Sequence, residues 1–295
     1  MIMKEKMFMK IKVSIIMGVF NSQSEKKLRN SIESILNQTF KNFEFIICDD
    51  CSTKEFVKNI LDYYAQKDNR IVYIKNNENK GLAFSLNHCL KYAKGEYIAR
   101  QDDDDISLPN RIEEEVKILD KNYNISIVGC NMWLYDDNGI YGKTNLIELP
   151  QKENLLYGCP FAHPTIMLRK KALDIVGNYS IDPIIRRIED YDLYFKLLFN
   201  GLWGINLNSK LYIYSEDYYT LQKQKFKYRI DEFKLRKKWF KKLKMFPRGI
   251  AYLFKPVISG LIPNKIRFYL KRKKFKLCDE DIKIINDLKL NNYVD

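Results

Sequence analysis

Along the first 130 residues, short apolar runs alternate with stretches whose apolar positions recur every three or four residues. Ile11-Lys12-Val13-Ser14-Ile15-Ile16-Met17 reads as a buried strand ended by Gly18. The next segment, 25–37, reads as a helix with Leu28, Ile32, Ile35 and Leu36 on one face and Ser24 as N-cap. The same alternation predicts strands at 43–48, 71–74, 96–100 and 125–132. Between them fall helices at 54–66, capped by Ser52 or Thr53, at 81–93, stopped by Gly95, and at 108–122, with Pro109 in its first turn. Short loops joining such units imply an α/β fold: a mostly parallel, twisted sheet flanked by helices, with right-handed crossovers. Beyond Met132 the pattern weakens. Asp136-Asp137-Asn138-Gly139 is a turn, 140–160 reads as irregular, and a strand at 165–168, a helix at 190–200 and a last strand at 210–214 follow.

Charge changes this picture in one place. The chain carries 51 Lys and Arg against 37 Asp and Glu, for a net +14. Residues 222–276 hold 20 of the basic residues and only two acids, Asp231 and Glu232, so the remainder is slightly acidic. The shift divides the chain into an α/β unit over 1–220 and a basic helical extension over 221–295. No apolar run reaches the roughly 18 residues of a membrane-spanning helix, and the N-terminus lacks the pattern of a secretory signal. Six irregularly spaced cysteines then suggest reduced thiols and a cytoplasmic protein. Cys48 and Cys51 form a CxxC, but two intervening acids disfavour a thiolate and only two histidines, His88 and His163, exist to complete a zinc site. A core cysteine on a strand is the simpler reading.

Three acidic groups fall at or near the carboxyl edge of the predicted sheet, where open α/β sheets bind ligands. Asp49-Asp50 follows the second strand and suits either a ribose or base contact, or a turn with Ser52. Asp102 to Asp105 is a run of four carboxylates between a strand and a helix. Such a run repels itself unless a cation or hydrogen bonds offset it, and its hard oxygens suit Mg²⁺ or Mn²⁺ shared with phosphates. An acidic first helical turn is the plainer alternative. Glu189-Asp190 opens a helix, where one carboxylate is ordinary, yet an acid pair also suits general-base chemistry.

In combination these segments resemble the family 2 glycosyltransferases of the GT-A fold. The resemblance runs over about 10–215 and rests on Val13 to Asn21, on Ser34 to Phe40 with Phe43-Glu44, on Cys48 to Thr53, on Gly81 to Asn87, on Gly95 to Arg100, on Gln101 to Arg111, and on Ile188 to Leu193. It implies an inverting transfer of a hexose-type sugar from a nucleotide donor, most simply a UDP-sugar, to a hydroxyl of a saccharide or lipid-linked glycan. Gly18, Phe20, Asn21 and Asp50 would line the nucleotide pocket, Asp50 accepting from the base. Lys80, in the Asn79-Lys80-Gly81 loop, and Arg100 would lie beside the donor. Asp102 and Asp104 would be the two acids of the family's Asp-x-Asp segment, with Asp103 between them. Asp104 would coordinate Mn²⁺ or Mg²⁺, and Asp102 would reach the ribose or the ion. Asp190 would be the base, with Glu189 beside it, and His163 would lie near the acceptor or simply in a loop. The chain departs from the family pattern at Cys51, which replaces a glycine, at Phe20, where tyrosine is common, and after 210–214, where Ser215-Glu216-Asp217 replaces a metal-binding histidine.

From Lys223 to Lys276, aromatic and aliphatic residues alternate with lysines. Phe233, Trp239, Phe240 and Leu243 can share one helix face. This matches a helix lying on an anionic membrane, with nucleic-acid binding or a solvated cover over the catalytic unit as alternatives. The expectation is a peripheral enzyme on the cytoplasmic membrane face, acting in surface polysaccharide, lipooligosaccharide or capsule synthesis. A sugar-phosphate nucleotidyltransferase is the rival enzyme class, although Gly18-Val19-Phe20-Asn21 is no phosphate-cradling loop. A non-enzymatic basic RNA- or membrane-binding protein is the other rival.

Overall fold

The computed structural model describes residues 10–216 and 225–294. Its sheet is built first from β1 (Val13–Val19), β2 (Phe43–Asp49), β3 (Ile71–Lys75) and β4 (Tyr97–Arg100). These pair in parallel in the order β3-β2-β1-β4, with Val13 opposite both Phe43 and Tyr97. Along β1, Ile16 faces one buried cluster while Val13, Ile15 and Met17 face another. That period of two, apolar on both sides, is why the strand reads as a continuous hydrophobic run. Helices α1 (Glu25–Leu36), α2 (Glu55–Lys67) and α3 (Leu82–Tyr92) supply the crossovers. Ser24 caps α1 by accepting from the Lys27 N–H, as its position predicted.

The second half of the sheet is mixed, as its weaker sequence pattern foreshadowed. It comprises β5 (Ile106–Ser107), β6 (Ile127–Asp136), β7 (Gly139–Lys143), β8 (Met167–Arg169) and β9 (Gly204–Ser215). Strand β8 runs antiparallel between β4 and β6, and β9 pairs in parallel with β6 and antiparallel with β5. Strands β5 and β7 lie in stretches read as helix start and irregular chain. Both are short pieces completed by a partner's edge, which leaves little local periodicity. The helix after the four aspartates, α4 (Arg111–Lys121), begins three residues later than its sequence pattern suggests. Helices α5 (Asn154–Tyr157), α6 (Lys170–Val176) and α7 (Glu189–Phe199) complete the α/β unit.

The basic extension folds as α8 (Phe226–Lys242), α9 (Ile250–Leu253), α10 (Lys255–Leu261), α11 (Asn264–Lys274) and α12 (Asp279–Asp287). The aromatic stripe expected to meet a membrane lies instead against α7. Trp239 and Phe240 are buried in the same cluster as Tyr191, Phe195 and Leu197, with Phe233 and Leu243 packed at its margin. The Trp239 ring stacks on Phe195 at 5.7 Å and its indole Nε1 donates to Asp192 at 2.8 Å. The reason is that α7 is apolar on nearly every side, so part of its surface needs a cover that the sheet does not provide. Farther on, Lys271 pairs with Glu216 and Arg272 with Asp136, tying α11 to the ends of β9 and β6.

Candidate active site

A cavity of about 880 Å³ opens at the carboxyl ends of β1, β2 and β4. Its walls include Gly18, Phe20, Asn21, Asp50, Lys80, Arg100, Asp102, Asp103, Asp104 and Glu189. The topology explains the convergence. Parallel strands all deliver their following loops to one edge, so residues 18, 50 and 100 meet although the sequence separates them widely.

The β2 end is held by internal hydrogen bonds. Asp49 accepts from the Ser52 N–H at 2.8 Å, making the turn the sequence allowed. Asp50 accepts from the Asn76 side chain at 2.7 Å and from the backbone N–H groups of Lys80 and Gly81 at 3.0 and 2.7 Å. Its carboxylate therefore fixes the loop that opens α3, and that loop forms one wall of the cavity. Gly81 has φ +88°, a conformation that favours glycine. At Gly18 a Cβ would lie 3.1 Å from Leu82 and 3.3 Å from Ser85, so an added methyl would force those α3 side chains to give by a few tenths of an ångström. Cys51 takes φ +62°, so this position keeps the left-handed turn even without glycine. Asn21, itself at φ +48°, accepts from the Thr53 and Lys54 N–H groups at 2.8 and 3.1 Å. It thus braces the turn that leads into α2, whose first turn has no side-chain cap: Ser52 and Thr53, the expected caps, bond to Asn21 instead. Phe20 stays about half exposed at the cavity mouth, an open ring face.

The aspartate loop is pinned through its backbone. Gln101, fully buried, donates to the carbonyls of Asp102 and Asp105 at 3.2 and 2.9 Å. The Ser31 hydroxyl donates to the Asp102 carbonyl at 2.6 Å and the Tyr135 hydroxyl to that of Asp104 at 3.1 Å. The carboxylates of Asp102, Asp103 and Asp104 consequently share the cavity wall. Arg100, buried beneath them, pairs with Asp102 at 2.5 Å. Burial and the charges of Asp104 and Asp102 push Asp103 up to about 8. Asp105 does not start the following helix, as its position in sequence suggested. It is fully buried, accepts from the Ser215 N–H at 2.7 Å, and is held well above the usual carboxylate range by burial and the neighbouring aspartates.

Glu189 lies on the cavity wall, and Asp190 sits one residue on in the first turn of α7. Asp190 accepts from the Tyr191 N–H at 2.7 Å, and the Cys159 thiol approaches it at 3.4 Å. Burial raises the proton affinity of both acids, Glu189 being raised further by Asp190's charge. His163 bonds to the Tyr179 hydroxyl at 2.9 Å, and burial plus the Arg100 charge hold it well below its ordinary value, hence neutral. Glu216 is engaged by Tyr141 at 2.7 Å and by Lys271, while Asp217 lies outside the described residues. Among the described residues no three His, Cys, Asp or Glu side chains gather into a preformed metal cluster.

Sequence reading missed a further wall, formed by Ser180, Ile181, Asp182, Pro183, Arg186 and Arg187. These residues have no periodicity. Their only signal is adjacency to Glu189-Asp190.

Comparison with known proteins agrees with this geometry. The family model described as Glycosyl transferase family 2 matches residues 14–176. A putative glycosyltransferase of Bacillus subtilis (strain 168), EpsE, is 40% identical over 263 residues, covering 88% of this chain and 94% of that protein. The Escherichia coli protein WfgD, named a UDP-Glc:alpha-D-GlcNAc-diphosphoundecaprenol beta-1,3-glucosyltransferase, is 35% identical over 66% of this chain and 73% of its own. In structure, a fragment of S. aureus TarS (residues 1-349) superposes with a TM-score of 0.63 at 20% identity, over 83% of this chain and 72% of that one. The match spans 43% of a longer TarS chain. The mannosyltransferase PcManGT from Pyrobaculum calidifontis, solved with GDP-Man and Mn²⁺, gives 0.57 at 17% identity over 84% of this chain and 68% of that one. The likeness in structure shows the GT-A fold, and the match in sequence shows the family: the chain is a glycosyltransferase of family 2, a class of enzymes of glycan synthesis.

Proposed function

We propose that the protein transfers a hexose-type sugar, with inversion, from a UDP-sugar to a hydroxyl of a saccharide or lipid-linked glycan. The observation that carries this reading is the single cavity that brings the Phe20 ring, the Asp50-held loop, the three aspartates and Glu189 together. An aromatic face beside a polar loop suits a nucleoside, and the carboxylates next to it would suit the diphosphate end through a shared cation. The named activity of WfgD on a UDP-sugar and a diphosphoundecaprenol acceptor supports the same substrate classes, as does the solved complex of TarS with UDP-GlcNAc.

The donor chemistry of the aspartate loop fits a hard divalent ion. Three carboxylates share one wall, where burial first and then the charges of Asp104 and Asp102 raise the proton affinity of Asp103, and all offer oxygens. Asp104 and Asp102 would hold Mn²⁺ or Mg²⁺, which when bound supplies positive charge to a diphosphate leaving group. The chain's own residues do the rest. Arg100 orients Asp102 from below, and Gln101 and Ser31 keep the loop from opening. Asp190 accepts the proton of the attacking hydroxyl, and its raised proton affinity matches a base better than an ordinary carboxylate does. Glu189 is the second reading for the base, because it is the acid that lines the cavity wall.

A panel of nucleotide sugars incubated with and without Mn²⁺ or Mg²⁺ tests the donor. Release of UDP from one UDP-sugar, lost on chelation, is the expected result, and silence across the panel would refute an active transferase. Asp190→Asn should abolish transfer and leave UDP binding nearly intact. If Asp190→Asn keeps its rate and Glu189→Gln does not, Glu189 is the base.

The basic extension is read as a membrane-docking surface. No described helix is long and apolar enough to cross a bilayer. With Trp239 and Phe240 of α8 buried, the contact falls to the stretch from α9 to α11, where Ile250, Phe254, Ile258, Leu261, Ile266 and Tyr269 are exposed among lysines and arginines. Ile258→Glu with Leu261→Glu should release the protein from vesicles containing anionic lipid; undiminished binding would remove this surface.

A further inference from the structure

Four cationic side chains line the donor cavity: Lys80, Arg100, Arg186 and Arg187. Two already have partners. Arg100 is buried and paired with Asp102 at 2.5 Å. Lys80 pairs with Glu78 at 3.3 Å, and its ammonium lies 4.7 Å from the Phe84 ring centre. Among the described residues, Arg186 and Arg187 have no carboxylate partner. Glu189, two residues after Arg187 on the same wall, makes no ion pair with it, and Asp182, four residues before Arg186, turns its carboxylate back onto the Ile184 N–H at 2.9 Å. Among the described residues, two exposed guanidinium groups thus stand on the cavity wall without an ion-pair partner.

Their backbone is specially placed. Arg187 has φ +75°, a conformation uncommon for a non-glycine residue. Across the cavity, the Arg186 Nε lies 3.7 Å from where a Cβ on Gly81 would project. Arg186 therefore packs over the turn that Asp50 fixes. Even a Cβ at Gly81 would only touch it in ordinary van der Waals contact, so the guanidinium lies directly over this turn. The two loops that flank the cavity meet at this point.

We propose that Arg186 and Arg187 are the diphosphate-binding residues of this chain, reading the second phosphate that a nucleoside diphosphate has and a monophosphate lacks. The assignment rests on the nucleotide-sugar reading above. The planar guanidinium forks match phosphate oxygens in a way that an ammonium does not. In the transfer, the sugar–phosphate C–O bond breaks and its electron pair stays on the diphosphate oxygen. The acceptor oxygen forms the new glycosidic bond and its proton passes to the carboxylate base. The negative charge that accumulates on the leaving diphosphate is what the arginine pair neutralises.

The test is calorimetric binding of UDP, UMP and GDP to the full chain at fixed Mg²⁺, for wild type, Arg186→Ala/Arg187→Ala and Arg186→Lys/Arg187→Lys. The alanine pair should weaken UDP about ten- to a hundredfold, the loss of one or two charge-assisted phosphate contacts. UMP should change less than about threefold by the same reasoning, and the lysine pair should recover part of the UDP affinity. Equal loss for UDP and UMP, or UDP binding unchanged, overturns the assignment while leaving the nucleotide-sugar reading in place. A wild type that binds neither UDP nor GDP overturns that reading and the assignment with it. Should the alanine pair fail to fold, the same comparison is made with each single alanine variant.

Discussion

Trp239 is the residue whose replacement would report most directly on how the basic extension and the catalytic unit depend on each other. It is 5% exposed, stacks on Phe195 with an interplanar angle of 9°, and meets Phe199 edge-on at 5.8 Å. Its Nε1–H donates to Asp192, a residue of the same helical turn as Asp190. Trp239→Phe keeps most of the ring stack and removes the donor. A hydrogen bond to a charged acceptor contributes about 1.5–3 kcal/mol, and Asp192 retains the Ser180 hydroxyl at 2.5 Å and Lys196 at 3.8 Å, which favours the lower end. Trp239→Ala adds an unfilled space between α7 and α8, for a total of about 3–5 kcal/mol. At about 2–4 °C per kcal/mol for a chain of this size, the melting temperature should fall by roughly 3–6 °C for phenylalanine and by roughly 8–15 °C for alanine. Differential scanning fluorimetry and urea titration of both variants, read by ring fluorescence and by far-ultraviolet dichroism, measure this. If alanine costs no more than phenylalanine, or if neither moves the midpoint by 2 °C, then α8 does not cover α7 and the reasoning fails.

Four further outcomes follow from the same structure. A chain ending at residue 224 should expose the α7 face, bind a hydrophobic dye and aggregate; a soluble fragment with native melting would show that α8 is dispensable. Cys51→Gly should raise stability by about 0.5–1 kcal/mol, because relief of the positive φ, about 1–2 kcal/mol, exceeds the entropy that glycine loses; a lower melting temperature would contradict it. Glu115 is fully buried, with neither carboxylate oxygen hydrogen-bonded, and burial pushes it up to about 8 from an ordinary 4.5. Its folded pKa is raised, so the stability it contributes is complete below about 4.5 and declines through about 8, at about 1.4 kcal/mol per pH unit between them. Glu115→Gln should flatten that decline in urea titrations at pH 5 to 8, and an unchanged slope would exclude Glu115 as its source. For catalysis, the acidic limb of the rate profile should lie above the range of an ordinary carboxylate, since burial raises both Glu189 and Asp190; a limb near pH 4 would mean that the base is exposed.

Much of the site was legible because parallel strands project their loops to one edge. Once the alternation of periods placed Asp50, Arg100 to Asp104 and Glu189 at strand ends or a helix start, their meeting followed from topology. The roles of individual side chains were less legible. Asp50 and Asn21 looked like ligand contacts, yet their oxygens are taken by backbone N–H groups that shape the cavity. Asp105 looked like a helix start and is a buried partner of Ser215, because the two-residue strand β5 intervenes.

By itself, the sequence determined the parallel half of the sheet and the acids that face its edge, since period and apolar content are local properties that burial on both faces enforces. Only the tertiary structure decided which of the cavity's cations find partners, because pairing depends on groups such as Glu78 and Asp102 arriving within a few ångströms. It also decided which face of the basic extension is inside. Trp239 and Phe240 have the composition of a membrane-seeking stripe, and a helix cannot distinguish lipid from a protein surface by its own pattern. The apolar flank of α7 occupies that stripe first, leaving α9 to α11 to meet whatever lies outside.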